Sequence, residues 1–527
     1  MGFLGIIFSL STLVLLAILF SAYLISLVVY RLLFHPIRHI PGPRLATLTF
    51  WYEFYYNVIQ RGQYVYKIKS LHDQYGPIVR INPDEVHFID PDAYKLVYSG
   101  ANKKRDKWVL FTRGFGIDNS LFSTNPHELH RGRRAALNSL FSKQQVRKMQ
   151  PTIQERADAM LDRLKGFRDD GGVINLKYAS AAFTCDVIMQ YAFGNSKKKV
   201  NAEDFDPFFH EAISTGFNQA PMHNRLPYML YAMQKMPKSW LLKLNSNMTS
   251  FAEAQKDIGM QVRRILEENA SGKASTDRPH TIFDQIIQSK LPPSEKSFSR
   301  LAQEGGLVVG AATVGTAWAI TVAVFYLVHQ PETLKALKTE LGASIPKVGE
   351  KLDLTVLEHL PYLSAVIQEA LRVSIGASHR SQRICPDESV TYTEPDTGRQ
   401  WHIPPGTPMS LSHILIFQDE KIFPDPLAFK PERWLDDPEL DRYQVAFSKG
   451  TRNCIGMNLA LAEMYLILAE IFRRYGSDRY SVSGDIGALE LFETDVSDVT
   501  CVGDGGVPYI TEGSQGVRFK IKKLGKQ

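Results

Sequence analysis

The sequence predicts a mainly α protein with small β-sheets, an α+β body of one large domain behind a single N-terminal transmembrane helix. Three observations carry this. The first thirty residues hold no charged side chain. After residue 100 long helical patterns dominate, and strand patterns are short. The composition of the 527 residues is 44% hydrophobic, 22% charged and 11% aromatic, which excludes a disordered or collagen-like chain. Lys and Arg number 61 against 55 Asp and Glu, a net +6. That excess forms no basic tail or stripe, so no nucleic-acid partner is expected. Cys185, Cys385, Cys454 and Cys501 lie far apart with no CxxC. This argues against a disulfide framework and for a reducing compartment.

Residues 1–30 predict the anchor. As a helix, Phe3 to Tyr30 would span roughly 42 Å, against about 30 Å of hydrocarbon. A cleaved signal peptide would need a charged start, a shorter apolar middle and a small-residue cleavage site. Arg31, Arg38 and Arg44 follow, with His35 and His39 among them. Positive charge on this side predicts a cytosolic body, so the sequons at Asn247 and Asn269 should stay unglycosylated. Pro36, Pro41 and Pro43 make residues 31–44 a stiff hinge, and residues 45–527 form the body.

In the body, Gly76 to Pro83 reads as a strand and Glu85 to Ile89 as its hairpin partner. Residues 270–281 read as an exposed loop. A long, nearly uncharged helix from about 302 to 330 should be a core element, buried at its centre. Strand and turn character returns over 386–415 and in the last forty-five residues.

The informative segment is Phe447-Ser448-Lys449-Gly450-Thr451-Arg452-Asn453-Cys454-Ile455-Gly456, with a helical pattern after it. Cys454 therefore sits before a helix N-terminus, where N–H groups favour a thiolate. A thiolate is what iron takes from cysteine. Gly450 and Gly456 would let backbone approach a flat cofactor. Arg452 could pair with its carboxylate, and Phe447 could shield the sulfur. A lone cysteine is more often a small buried core residue; the fixed positions around Cys454 outweigh that reading.

This segment resembles the haem-thiolate signature F-x-x-G-x-R-x-C-x-G of the cytochrome P-450 family in full, and the order of motifs is similar to its fungal microsomal branch. The resemblance implies haem b (iron protoporphyrin IX) with Cys454 as axial ligand. Glu369 and Arg372 in Gln368-Glu369-Ala370-Leu371-Arg372, with Arg433 in Phe429-Lys430-Pro431-Glu432-Arg433-Trp434, resemble the family's E-x-x-R and P-E-R-F elements. They imply a structural brace, with Trp434 where the family usually has Phe. His130 and Arg134 resemble its W-x-x-x-R propionate motif with His for Trp. Arg380 resembles the strand arginine that reaches a propionate, so Arg134, Arg380 and Arg452 are the expected propionate partners.

One stretch departs from the pattern. Gly310-Ala311-Ala312-Thr313-Val314-Gly315-Thr316 aligns with small-Gly-x-acid-Thr-Thr, which puts Val314 at the acid position and Gly315 at the oxygen-activating threonine. In the family that pair delivers protons while dioxygen is activated; Val and Gly cannot. Substrate hydroxyls or ordered water could supply the protons. Thr313 or Thr316 could substitute, although 100° per residue turns each away from the Gly315 direction. Otherwise the chemistry is a rearrangement, a dehydration or a peroxide-driven oxidation.

The resemblance further implies a monooxygenase in the endoplasmic reticulum membrane. Its substrate would be a lipophilic small molecule, such as a terpenoid or polyketide intermediate of fungal secondary metabolism. NADPH electrons would arrive through a separate flavin-bearing NADPH-cytochrome reductase, docking on Lys449, Lys143, Arg147 and Lys148. Leu226 to Trp240 would form a membrane-facing entrance lip. A membrane haem-binding protein without turnover is the alternative of another class.

Overall fold

The computed structural model describes residues 10–100, 103–236, 240, 246–271 and 281–524. The expected loop at 270–281 lies mostly outside them. The N-terminal helix Leu10–Val29 continues as a π-turn, Tyr30–Phe34. The stretch Thr12–Phe34 has a mean hydropathy of 2.6, leaves its apolar window exposed, and is long and apolar enough to cross a membrane; only its end touches the body, where the Arg31 carbonyl accepts from Arg80 at 3.1 Å. The 31–44 segment is less free than a hinge. Ile37 and Ile40 are buried, and the Pro41 carbonyl accepts the Arg80 N–H at 2.7 Å. Proline stiffness is thus supplemented by docking on the first sheet.

That sheet has the order β1-β2-β8-β5-β3, with β1 Ile78–Arg80, β2 Val86–Phe88, β3 Asp106–Lys107, β5 Arg383–Ile384 and β8 Pro408–Ser410. The expected hairpin is present, with Ile78 opposite Phe88. A second sheet orders β4 (Ile174–Asn175), β13 (Arg518–Lys522), β10 (Gly487–Leu491) and β9 (Tyr475–Ser477). Two hairpins complete the β structure: β6 Val390–Thr393 with β7 Gln400–Ile403, and β11 Gly503–Asp504 with β12 Pro508–Tyr509.

Helices make up most of the body. The long apolar helix is Phe298–His329, and two thirds of its apolar window (67%) is buried, so it is a core helix and not a second span. Its two charged residues, Arg300 and Glu304, are fully enclosed and pair with each other at 2.7 Å, as buried charges must. It packs on the helices Leu176–Phe193, Ser246–Ala270 and Pro361–Ser374. Asn269, in one of the two sequons, donates its side-chain amide to Asp284 at 2.9 Å and to the Ile265 carbonyl.

Candidate functional site

A cavity of about 390 Å³ lies between the Phe298–His329 helix and the loop that carries Cys454. Leu307, Val308, Ala311, Ala312, Gly315 and Thr316 form its helical wall, and Phe111, Phe115, Phe122 and Phe217 an aromatic one. The Cys454 loop closes on itself. The Cys454 N–H donates to the Phe447 carbonyl at 2.8 Å, and Ser448 N–H donates to Val445. Gly450 adopts φ +75°, and a Cβ there would sit 2.2 Å from the Ser99 carbonyl oxygen. Glycine at 450 is required by this close approach to neighbouring backbone.

The Cys454 sulfur is open to the cavity and enclosed by the protein. The helix Met457–Arg474 begins three residues later. Burial pushes the thiol up from its ordinary value, while the Gly456 N–H, Arg134 and the Met457 N–H pull the other way. Burial wins, so the thiolate needs a positive centre facing it, which is what a metal ligand site supplies.

Beside the sulfur stands a group of buried and half-buried basic residues. Lys107, Arg134, Arg383 and Arg452 all line the cavity, with His130. His130 and Arg134 share a face of the His127–Asn138 helix. Lys107 and Arg383 stand directly opposite each other on β3 and β5, an arrangement that repels unless an anion joins it. Arg134 binds the Asn453 carbonyl and side chain at 2.6 and 2.8 Å. Arg452 donates to the carbonyls of Arg105, Thr124 and Asn125. Burial together with the neighbouring cations drives His130 down to about 2 and Arg452 to about 9, and lowers Lys107 strongly. His130 is therefore a neutral hydrogen-bond donor. Three buried basic groups and a half-buried one, with so little opposing charge, are costly alone. They fit a ligand bearing two carboxylates, and the cysteine beside them fits its metal: haem b satisfies both.

Arg380 is elsewhere, contrary to the expectation from sequence. Its guanidinium is buried between Glu53 at 2.5 Å and Glu85 at 2.9 Å. Arg225 reaches Glu53 from the other side at 2.7 Å. Asn82, Gln382 and Ser410 complete the carboxylates' bonds. Two guanidiniums balance two carboxylates, and no charge is left for a propionate. Arg383, three residues on, lines the cavity instead. The signal that could have found it is the pairing of two basic strand residues, Lys107 and Arg383.

The brace is as expected. Glu369 accepts two bonds from Arg372, at 2.9 and 2.7 Å, and one from Arg433 at 3.2 Å. Arg372 also donates to the carbonyls of Phe417, Pro426 and Ala428. Trp434 donates its indole N–H to Glu369 at 2.9 Å, which a phenylalanine could not do.

Gly315 lines the cavity, and a Cβ there would meet nothing within 4 Å. Thr316 also lines it, which corrects the expectation that it turns away; Thr313 is buried against the Leu176–Phe193 helix, where its carbonyl accepts from Thr184. Of the basic residues expected to dock a partner, Lys143 and Arg147 both pair with Glu358, at 2.9 and 2.8 Å. Lys449 donates to the Asp441 and Arg442 carbonyls, and Lys148 is exposed.

The cytochrome P450 family profile matches residues 42–481. A cytochrome P450 monooxygenase of Cochliobolus heterostrophus, tpcC, is 46% identical over 499 residues, covering 95% of each chain. The monooxygenase astB of Talaromyces wortmannii is 44% identical, covering 93% of this chain and 94% of its own. The tryptophan 6-hydroxylase fscE of Fusarium equiseti is 36% identical over 99% of this chain and 98% of its own. The reading of a haem protein without turnover gives way to these relatives. Because the likeness runs through the cysteine loop, the cavity helix and the bracing helix together, this chain belongs to the cytochrome P450 family and is one of its haem-dependent monooxygenases.

Proposed function

We propose that the protein is a single-pass enzyme of the endoplasmic reticulum membrane, anchored by residues 1–30, with its catalytic body in the cytosol. It oxidises a lipophilic small molecule, a terpenoid or polyketide intermediate of fungal secondary metabolism. Electrons come from NADPH through a separate flavin reductase. The observation that carries this is the cavity, whose walls above Cys454 are aliphatic and aromatic over most of their extent and so suit an apolar substrate.

Bound haem b supplies the redox iron at which dioxygen is activated. The chain's own residues do the rest. Cys454 holds the iron by its sulfur. Arg134, Arg383, Arg452 and Lys107 neutralise the propionates, and His130 donates to them. The phenylalanines and the helix Phe298–His329 exclude water and shape the substrate pose. The anchor reading rests on the exposed apolar helix and the basic residues after it. The exposed Tyr228 and Trp240 support an interfacial lip. Lys148, with Lys143 and Arg147 around Glu358, offers a basic face to an acidic reductase.

The absence of an acid at Val314 and of an alcohol at Gly315 favours a second reading, a rearrangement, dehydration or peroxide-driven oxidation that consumes no NADPH per product. The experiment is direct. Reduced protein under carbon monoxide should show the red-shifted thiolate Soret band, and Cys454→Ser should lose it. Microsomes with reductase, NADPH and dioxygen should then convert extracts of a gene-deletion strain into a new oxidised product. A product formed at the same rate without NADPH would establish the second reading instead.

A further inference from the structure

The tripeptide Ser378-His379-Arg380 presents one residue to the cavity between two that are locked. Ser378 donates its N–H to the Gly506 carbonyl at 3.3 Å and its hydroxyl to Asp504 at 2.9 Å. Arg380 is fixed between Glu53 and Glu85. Between them His379 lines the cavity, and also a small pocket on its far side beside Glu53 and Arg225. Its Nδ1 lies 2.9 Å from the other oxygen of Asp504, and its ring stacks on Phe111 with centroids 5.6 Å apart and planes 12° apart. No hydrogen bond to its Nε2 is found among the described residues.

Several other polar side chains of the wall already have partners, and Thr316 offers a hydroxyl from the opposite, helical side. His413 has both ring nitrogens engaged, by Tyr94 and the Ala377 carbonyl. Ser374 and Ser381 bond to the Leu371 carbonyl and to Arg383. His130 stands among the cations. Asp504 is buried; burial pushes its carboxyl up, but His379, Arg380 and the Gly506 N–H outweigh that and hold it low. An ionised Asp504 takes its hydrogen bond from Nδ1–H, so Nδ1 carries the proton. Nε2 is then a lone pair in the neutral ring and an N–H in the protonated one.

We propose that Nε2 of His379 anchors a hydroxyl oxygen of the substrate, which makes His379 a specificity-determining residue that selects a lipophilic alcohol over the corresponding hydrocarbon. A hydroxyl serves either state of the ring, since it both donates and accepts. A ketone or carboxylate serves only one. Asp504 and Phe111 act as positioning residues, fixing the tautomer and the ring plane. A polar atom with no protein partner discriminates strongly, because a ligand without the hydroxyl leaves it unpaired. This inference rests on the lipophilic-substrate reading above.

The test is equilibrium binding to the haem-loaded enzyme, followed by the Soret shift, with cyclododecanol and cyclododecane as a matched pair. Wild type should bind the alcohol about five- to tenfold tighter, the worth of one hydrogen bond. His379→Phe keeps the stack on Phe111 and removes Nε2. It should bring the preference to about one while leaving cyclododecane affinity within about twofold. His379→Gln, which can still bond both Asp504 and the ligand, should keep most of the preference. Should the Phe variant fail to load haem, H379A makes the same comparison. No preference in wild type, a preference that survives in H379F or H379A, or an equal loss of both ligands would each overturn the anchor. A wild type that binds neither ligand would overturn the lipophilic reading and the anchor with it.

Discussion

Arg380→Met and Arg383→Met should have opposite effects, although the two arginines are three residues apart. Arg380 bonds Glu53 and Glu85, both buried. Its removal leaves two carboxylates with one guanidinium, that of Arg225. Breaking a buried ion pair from one side costs about 3–5 kcal/mol. An orphaned carboxylate can take up a proton instead, which at pH 7 costs up to about 3.7 kcal/mol from an ordinary Glu. The loss in R380M should therefore be about 3–4 kcal/mol at pH 7 and shrink as the pH approaches 5. Arg383 faces Lys107 and is held low by burial. Removing it relieves repulsion, so apo-protein stability should stay within about 1 kcal/mol of wild type or rise. With haem bound, R383M loses a charge-assisted bond of about 1.5–3 kcal/mol, about 10- to 150-fold in haem retention. Urea unfolding of apo-protein reads the first effect, and the rate of haem transfer to apomyoglobin the second. If R380M sheds haem with its urea midpoint unchanged while R383M retains it, the assignment of the two arginines is wrong.

Trp434→Phe, which restores the family's usual residue, should destabilise the fold by about 1–3 kcal/mol, because the buried Glu369 loses a donor; urea unfolding measures this, and the carbon monoxide spectrum should not change. Burial holds His72 down to about 4 against an ordinary 6.5. Its contribution to stability is thus fully present above pH 6.5 and lost as pH falls toward 4. His72→Gln should flatten the urea midpoint's pH dependence in that window by up to about 1.4 kcal/mol per pH unit, with the rest of the slope shared by His87, His130, His210, His223 and His413, which burial also holds low. Gly315→Thr should fold normally, within about 0.5 kcal/mol, since its side chain enters open space. With protons supplied from the substrate side, it should not improve the ratio of product to NADPH consumed; better coupling with less peroxide would sink that idea.

Most of the fold was legible because its strongest signals are local. The apolar run at the N-terminus, the β1–β2 hairpin and the long central helix each follow from period and composition. The cysteine loop was legible because its glycine, arginine and cysteine stand at fixed spacing in one stretch. The basic group beside Cys454 was only half legible. Arg134 and Arg452 belong to contiguous motifs, whereas Lys107 and Arg383 meet through strand pairing between positions far apart in sequence. Arg380 was misassigned for the same reason. Its partners Glu53 and Glu85 lie some three hundred residues away, and no local pattern announces a buried charge balance.

The cavity helix shows how a correct local rule can mislead. Successive residues do turn by 100°, yet the cavity is wide enough to take two adjacent rows of the helix: Leu307 with Val308, Ala311 with Ala312, Gly315 with Thr316. Thr316 therefore keeps an alcohol at the cavity although the usual position holds glycine. An alcohol alone does not make the usual pair, because Val314 brings no acid beside it. The nearest acid on the same wall is Glu304, roughly three turns and 16 Å up the helix, where Arg300 and the Leu121 N–H hold it. The helix thus offers a hydroxyl without a proton source behind it. A proton for oxygen activation then comes from outside this helix, and on the proposal above a substrate that brings its own hydroxyl, held by His379, meets that need without any change to the helix.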